Sequence, residues 1–326
     1  MIGSDIYNKS FWGNGACNDI GWGIIYKPFS GCTPLETRFV ISIKTDNTGT
    51  SNDDQFTLPW TGNYDVEWGD GNTDTGQTDT STHTYDTAGT YDVSVTPIGQ
   101  CRILFNNGGD RNKLLEIKNW GTGEWNGMAG AFNGCNFVDV TATDIPDFTF
   151  VTNMSNMFKS CFVMVGNSSF ANWDVSNIQR PEGMFRTARL FNQNISSWVT
   201  SSFTRTDLMF FDADAFNQPI QSWNMSSVTN LQNMFRRNDF AFDQSLANWD
   251  ITSVTSAQNF LDTSGISNAN YDATLISWAA QSITNAVSID FGNSQFTSGG
   301  AAAVSYTHLR AHETPEHLVC RLLLEK

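Results

Sequence analysis

Apolar positions return along this chain with two different periods. Between residues 36 and 100 they alternate: Phe39, Ile41 and Ile43, then Phe56 and Leu58, then Tyr64, Val66 and Trp68, then Tyr91, Val93 and Val95. Clusters of Gly, Asn, Asp and Thr separate these runs. Period two broken by turn residues predicts antiparallel strands, and their spacing suggests a small sandwich. Asp70-Gly71 is an expected turn, because glycine reaches the positive φ that a tight hairpin needs, and Ala88-Gly89 makes the next one. Residues 1–35 are rich in Gly, Asn and aromatics and show no clear period.

From about Cys101 to Gly265 the period lengthens. Trp120, Trp173, Trp198, Trp223 and Trp249 form one column, with Pro146 in the second slot. Twelve residues after each slot stand Phe132, Phe158, Phe185, Phe210, Phe235 and Leu261. Five residues after each slot stand Trp125, Val151, Ile178, Phe203, Val228 and Val254. Three columns that keep one spacing through small insertions predict units too small to fold alone, stacked on their neighbours. Within one unit, Ile220, Trp223, Met225 and Val228 read as an extended rung. Leu231, Met234 and Phe235, at spacings of three and four, read as a short helix capped by Ser227 or Thr229. Gln193, Gln218 and Gln244 share a column beside Asn192, Asn217 and Asp243, so stacked amides can bond from rung to rung. Cys135 and Cys161 share another with Ala188 and Ala213. Such a position admits only small side chains, or the two thiols form a disulfide between adjacent rungs. Cys17 and Cys32 are a second candidate pair, and Cys101 is left over.

The residues Trp68, Gly69, Asp70 and Gly71, then His83, Thr84 and Tyr85, then Gly89, Thr90, Tyr91, Val93 and Val95 resemble a PKD-type domain, an immunoglobulin-like sandwich of extracellular proteins. The units FNQPIQSWNMSSVTNLQNMF, FNQNISSW and FDQSLANW resemble the BspA-like leucine-rich-repeat proteins of bacterial surfaces. ANYDATLISWAAQSI, Ala269 to Ile283, is similar to the segment that closes such arrays and is expected to be a capping helix. The resemblance implies an α+β fold: a small Ig-like (PKD-like) β-sandwich followed by a leucine-rich-repeat-type strand/helix solenoid. The implied organisation is a head at 1–35, a sandwich at 36–100, about six repeats at 101–265 and a capping segment at 266–303.

The last stretch reads differently. From about Val304, Asn, Gly and Asp vanish, and three of the 4 histidines crowd together. VSYTHLRAHET and LVCRLLLEK resemble a translated sequencing adapter. Residues 304–326 are therefore expected to be artefactual and to pack on nothing, with the native C-terminus missing.

Charge and candidate chemistry narrow the function. Lys plus Arg is 18 against 33 Asp plus Glu, a net charge of -15, which argues against nucleic acid as a partner. No apolar run approaches a transmembrane span, and no secretory signal is visible at the N-terminus. Outside the tail the only histidine is His83, expected to be structural, and the chain contains no metalloprotease, P-loop or nucleophile-elbow motif. Asp70, Asn72 and Asp74 alternate as in a calcium loop, but the glycine and the closing glutamate of an EF-hand are misplaced, so they are only weak metal candidates. No catalytic residue, metal or cofactor is expected. The outward position after each tryptophan, Asp174, Asn224 and Asp250, is the candidate ligand face. The resulting expectation is a non-enzymatic extracellular binding or adhesion protein that presents its repeats to a protein or glycan, without membrane insertion. The alternative is a phage tail or capsid component with a structural or receptor-binding role.

Overall fold

A computed structural model describes residues 37–238, 241–263, 265–281, 287–292, 294–295, 297, 309–311 and 321–324. The head at 1–35, with Cys17 and Cys32, lies outside the described residues.

The alternating runs form strands. β1 (Phe39–Lys44), β3 (Trp60–Glu67), β4 (Thr73–Gln77), β6 (Thr90–Ile103), β7 (Leu114–Asn119), β8 (Glu124–Trp125) and β9 (Asp139–Val140) make one seven-stranded sheet. Its order is β4-β3-β6-β1-β7-β9, with β8 beside β6. β2 (Gln55–Leu58) and β5 (Ser81–Thr84) pair as a separate ribbon that buries Phe56 and Leu58. β6 runs without a break through residue 100, so one strand serves both the alternating region and the start of the repeats.

The pairing changes sense where the repeats begin. β1 pairs antiparallel with β6 and β7, whereas β7 pairs parallel with β9. Single parallel bridges then continue from rung to rung, Asn153 to Arg180, Arg205 to Asn230 and Asn230 to Ser256. At this joint Gly121 has φ +66°, and a Cβ on it would lie 2.5 Å from the Arg38 carbonyl carbon. Only glycine lets the first rung approach β1 so closely.

The expected helix-and-strand solenoid needs correction. The repeat units contain no α-helix among the described residues, and Leu231, Met234 and Phe235 lie in successive turns. Two positions per rung explain this. Gly130, Asn156, Gly183, Leu208, Asn233 and Asn259 have positive φ, as do Gly134, Ser160, Thr187, Asp212, Arg237 and Thr263 four residues later. A left-handed residue every fourth position cannot continue a right-handed helix. The hydrogen bonds agree. Leu231, Asn233, Phe235 and Arg237 donate their N–H to Ser256, Gln258, Phe260 and Asp262 of the next rung. Met234 and Arg236 instead close turns onto Leu231 and Asn233. A helix would direct every N–H back along its own chain. The protein is thus mostly sheet and turn, with a single α-helix, α1 (Asn268–Ala279), among the described residues.

The core runs unbroken from Phe39 to Phe291. Phe132, Phe158, Phe185, Phe210 and Phe235 are fully buried and stack with centroids 5.5, 6.1, 5.7 and 5.6 Å apart. Trp120, Trp173, Trp198, Trp223 and Trp249 are buried alongside, and the rings of Trp198 and Trp223 lie parallel at 6.1 Å. α1 closes the column, burying Tyr271, Leu275 and Trp278.

After α1, β10 (Ser288–Asp290) meets the last rung, where Leu261 N–H donates to the Asp290 carbonyl. β12 (Arg321–Leu324) pairs antiparallel with β10, and β11 (Leu309–Ala311) with β12. The tail was expected to stand apart. Its two short strands instead extend a sheet edge, which any extended segment can do through its backbone.

Candidate functional site

The position after each tryptophan slot carries a repeated local structure. Asp147 Oδ1 accepts from Thr149 N–H at 2.9 Å, Asp174 Oδ1 from Ser176 N–H at 3.0 Å, Asn224 Oδ1 from Ser226 N–H at 3.0 Å and Asp250 Oδ1 from Thr252 N–H at 2.9 Å. Each is an Asx turn that bends the chain out of the rung. Asp174, Asn224 and Asp250 are exposed on one face; Asn224 and Asp250 lie in adjacent rungs, and Val199 fills the slot between Asp174 and Asn224. The hydrogen bonds from Thr149, Ser176 and Thr252 hold the carboxyls of Asp147, Asp174 and Asp250 below the usual carboxylate range. This face therefore stays anionic into mild acid and offers acceptors at rung spacing.

Behind this face the tryptophans tie the rungs together. The indole N–H of Trp198 donates to the Phe170 carbonyl at 2.7 Å, Trp223 to Ile195 at 3.1 Å, Trp249 to Ile220 at 2.9 Å and Trp278 to Leu246 at 2.9 Å. Trp278 extends the column from within α1. The amides do the same at the rim. Gln218 Nε2 donates to Asn192 Oδ1 at 2.8 Å, and Gln244 Nε2 to Asn217 Oδ1 at 2.8 Å.

The weak metal candidates have other partners. Asp70 accepts from Asn72 N–H at 3.0 Å and from Asn72 Nδ2 at 2.9 Å, and its Oδ2 lies 2.8 Å from His83 Nε2. Asp74 accepts from the Trp68 indole at 2.9 Å. His83 stacks on Trp68 with centroids 5.0 Å apart, as a structural side chain would. Partial burial pushes the Asp70 carboxyl up, but the bonds from His83 and Asn72 outweigh it and leave the carboxyl below its ordinary value. Among the described residues no group of three or more His, Cys, Asp or Glu could hold a metal ion.

Cys101, Cys135 and Cys161 are buried free thiols. Burial pushes the Cys101 thiol up to about 12, with the Glu124 charge adding to it, and raises Cys135 and Cys161 well above normal. They are therefore poor nucleophiles. Cys161 Sγ donates to the Phe132 carbonyl at 3.3 Å, which fits a small-side-chain position between rungs.

Two features were not read from the sequence. One is a buried clamp. Asp110, 1% exposed, accepts from the N–H groups of Thr50, Ser51 and Thr57 and from the Ser51 hydroxyl. Lys113 Nζ donates to the carbonyls of Ser51, Asn52 and Gln55. Together they fix the loop between β1 and β2, although sequence separation hides the pairing. The other is a cationic row, Arg111, Lys159 and Arg186. Part of its signal was available, since Lys159 and Arg186 both follow a column phenylalanine.

Comparison with curated proteins and with solved structures finds no match. One family matches twice, over residues 80–168 and 152–278. The second match starts inside the first, as expected when the matching pattern is a repeat. The two together run from the ribbon strand β5 through the stacked rungs and into α1, more than half of the chain. The chain therefore belongs to the family described as Mycoplasma protein of unknown function, DUF285.

Proposed function

We propose that this is a non-enzymatic binding protein that works outside the cell, presenting its repeats to a protein or glycan. One observation carries the reading. The stacked rungs hold Asp174, Asn224 and Asp250 outward and in register, each fixed by its own Asx turn. A rigid row of acceptors, interrupted only at Val199, suits an extended partner. The histidine and thiols that could serve catalysis have structural surroundings: His83 lies against Trp68 and Asp70, and the described cysteines are buried.

The test is capture of proteins and glycans by the full chain, compared with an Asp174→Asn/Asp250→Asn variant. Asparagine keeps the turn acceptor and removes the charge, so folding is retained while recognition changes. Capture that weakens in the variant, without turnover of glycoside, ester or peptide substrates, supports the reading. Hydrolysis of a captured ligand, or capture equal in both proteins, contradicts it.

A further inference from the structure

We propose that Arg111, Lys159 and Arg186 form a binding row for an acidic polysaccharide lying along the stack. The proposal rests on the reading of the chain as a binding protein, but it uses a different face. Lys159 and Arg186 each follow a phenylalanine of the stacked column, in adjacent rungs. Arg111 begins a short 3-10 turn (Arg111–Lys113), and its Cδ and Nε lie 2.8 and 3.0 Å from where a Cβ on Gly134 would stand. Gly134 N–H donates to the Lys159 carbonyl at 2.8 Å, and Ser160 N–H to the Arg186 carbonyl at 2.8 Å. The three residues therefore follow one another up the stack, and Arg186 is held 5.1 Å above the Phe211 ring.

All three lack an acid partner among the described residues. Arg180, Arg189, Arg205 and Arg236 of the same stack pair with Glu182, Asp212, Asp207 and Asp262. Among the described residues no salt bridge involves Arg111, Lys159 or Arg186. In a chain of net charge -15, three neighbouring cations left without carboxylates are positioned for an outside anion. Arg189 Nη2 reaches Asp212 of the next rung at 3.0 Å, so the stretch just after each phenylalanine borders the stretch a few residues later. That second stretch exposes Phe137, Phe162, Val163 and Leu190. Charge beside apolar surface suits a carboxylated or sulfated sugar, whose ring face is apolar and whose edge is anionic. The rungs advance by about 5 Å, as neighbouring strands do, close to the length of one sugar in an extended chain.

The experiment is fluorescence anisotropy of labelled heparin and hyaluronan oligosaccharides with the full chain at low salt. Both should bind, binding should weaken with added salt, and neutral dextran oligosaccharides should not bind. Arg111→Gln/Lys159→Gln/Arg186→Gln should lose about ten-fold in affinity while keeping its melting temperature, and Arg111→Lys/Arg186→Lys should retain most of the binding. Failure to bind either acidic oligosaccharide, unchanged affinity in the triple variant, or equally tight binding of single-stranded DNA would overturn the proposal. So would loss of oligosaccharide binding in Asp174→Asn/Asp250→Asn, which would assign it to the other face. Capture of a protein or neutral glycan without either acidic oligosaccharide would sink this row and leave the binding reading standing. Cleavage of a bound oligosaccharide would overturn the non-enzymatic reading instead, and the triple variant would still report on the row.

Discussion

Leu208 adopts φ 59°, in a column that otherwise holds Gly130, Asn156, Gly183, Asn233 and Asn259. The left-handed region costs a residue with an ordinary side chain about 1–2 kcal/mol, whereas glycine and asparagine visit it readily. Leu208 is only half-buried, so little packing offsets this strain. Leu208→Asn should therefore stabilise the protein by about 1 kcal/mol. A rise in the urea midpoint with unchanged slope is the signature, and a fall would show that the leucine packs better than its exposure suggests. The tryptophans give the opposite case. Trp223 is buried, and its indole bonds the Ile195 carbonyl at 3.1 Å. Trp223→Ala should cost about 3–5 kcal/mol through lost burial and a cavity. Trp223→Phe keeps much of the ring and removes only the indole bond, since the Ile195 carbonyl still accepts from the Trp198 N–H, and should cost about 0.5–1.5 kcal/mol. Equal losses in the two variants would mean that the hydrogen bond, which both remove, accounts for the whole effect and that the buried ring contributes nothing.

At the scale of elements, the loop between β1 and β2 depends on one carboxylate. Burial alone would raise the Asp110 carboxyl, but the bonds from Ser51 and Thr57 and the nearby Lys113 ammonium lower it overall. A carboxyl whose folded pKa lies below its unfolded value, about 4, gives its full stabilisation above that value. The contribution is lost as pH falls through the folded pKa. The chain should thus lose stability between about pH 5 and pH 3, and Asp110→Asn should flatten that dependence. At neutral pH the variant should be less stable by about 3 kcal/mol, since the charged acceptor of the Thr50, Ser51 and Thr57 N–H groups is replaced by a neutral amide. Identical pH profiles would assign the acid sensitivity elsewhere. This element was invisible in the sequence because Asp110 reaches back sixty residues to Thr50. The tryptophan and phenylalanine columns were visible, because burial requires a large apolar group at the same point in every rung. The helical reading of Leu231, Met234 and Phe235 failed for a definite reason. Spacings of three and four also fit a pair of turns, and the apolar pattern does not encode the sign of φ at Asn233 and Arg237. The Gly and Asn column through Gly130, Asn156 and Asn259 does hint at it.

Across the whole molecule, one core joins the sheet to the stack, and β10 already meets the last rung through Leu261 N–H and a parallel bridge from Ala257 to Ile289. β10 therefore does not depend on the two tail strands beside it. Removing residues 304–326 should leave the melting temperature and the far-UV spectrum unchanged, and a clear loss of stability would show that the tail is a native part of the fold. The candidate face was partly legible as well. The sequence placed Asp174, Asn224 and Asp250 outward, but not the Asx turns that hold them. The indole bonds of the stack have a further consequence, because these four point the same way. Trp198, Trp223, Trp249 and Trp278 each reach back to a carbonyl made earlier in the chain. On the ribosome each rung from Trp198 onward thus emerges to find its acceptor already in place, so this part of the stack can assemble in step with synthesis.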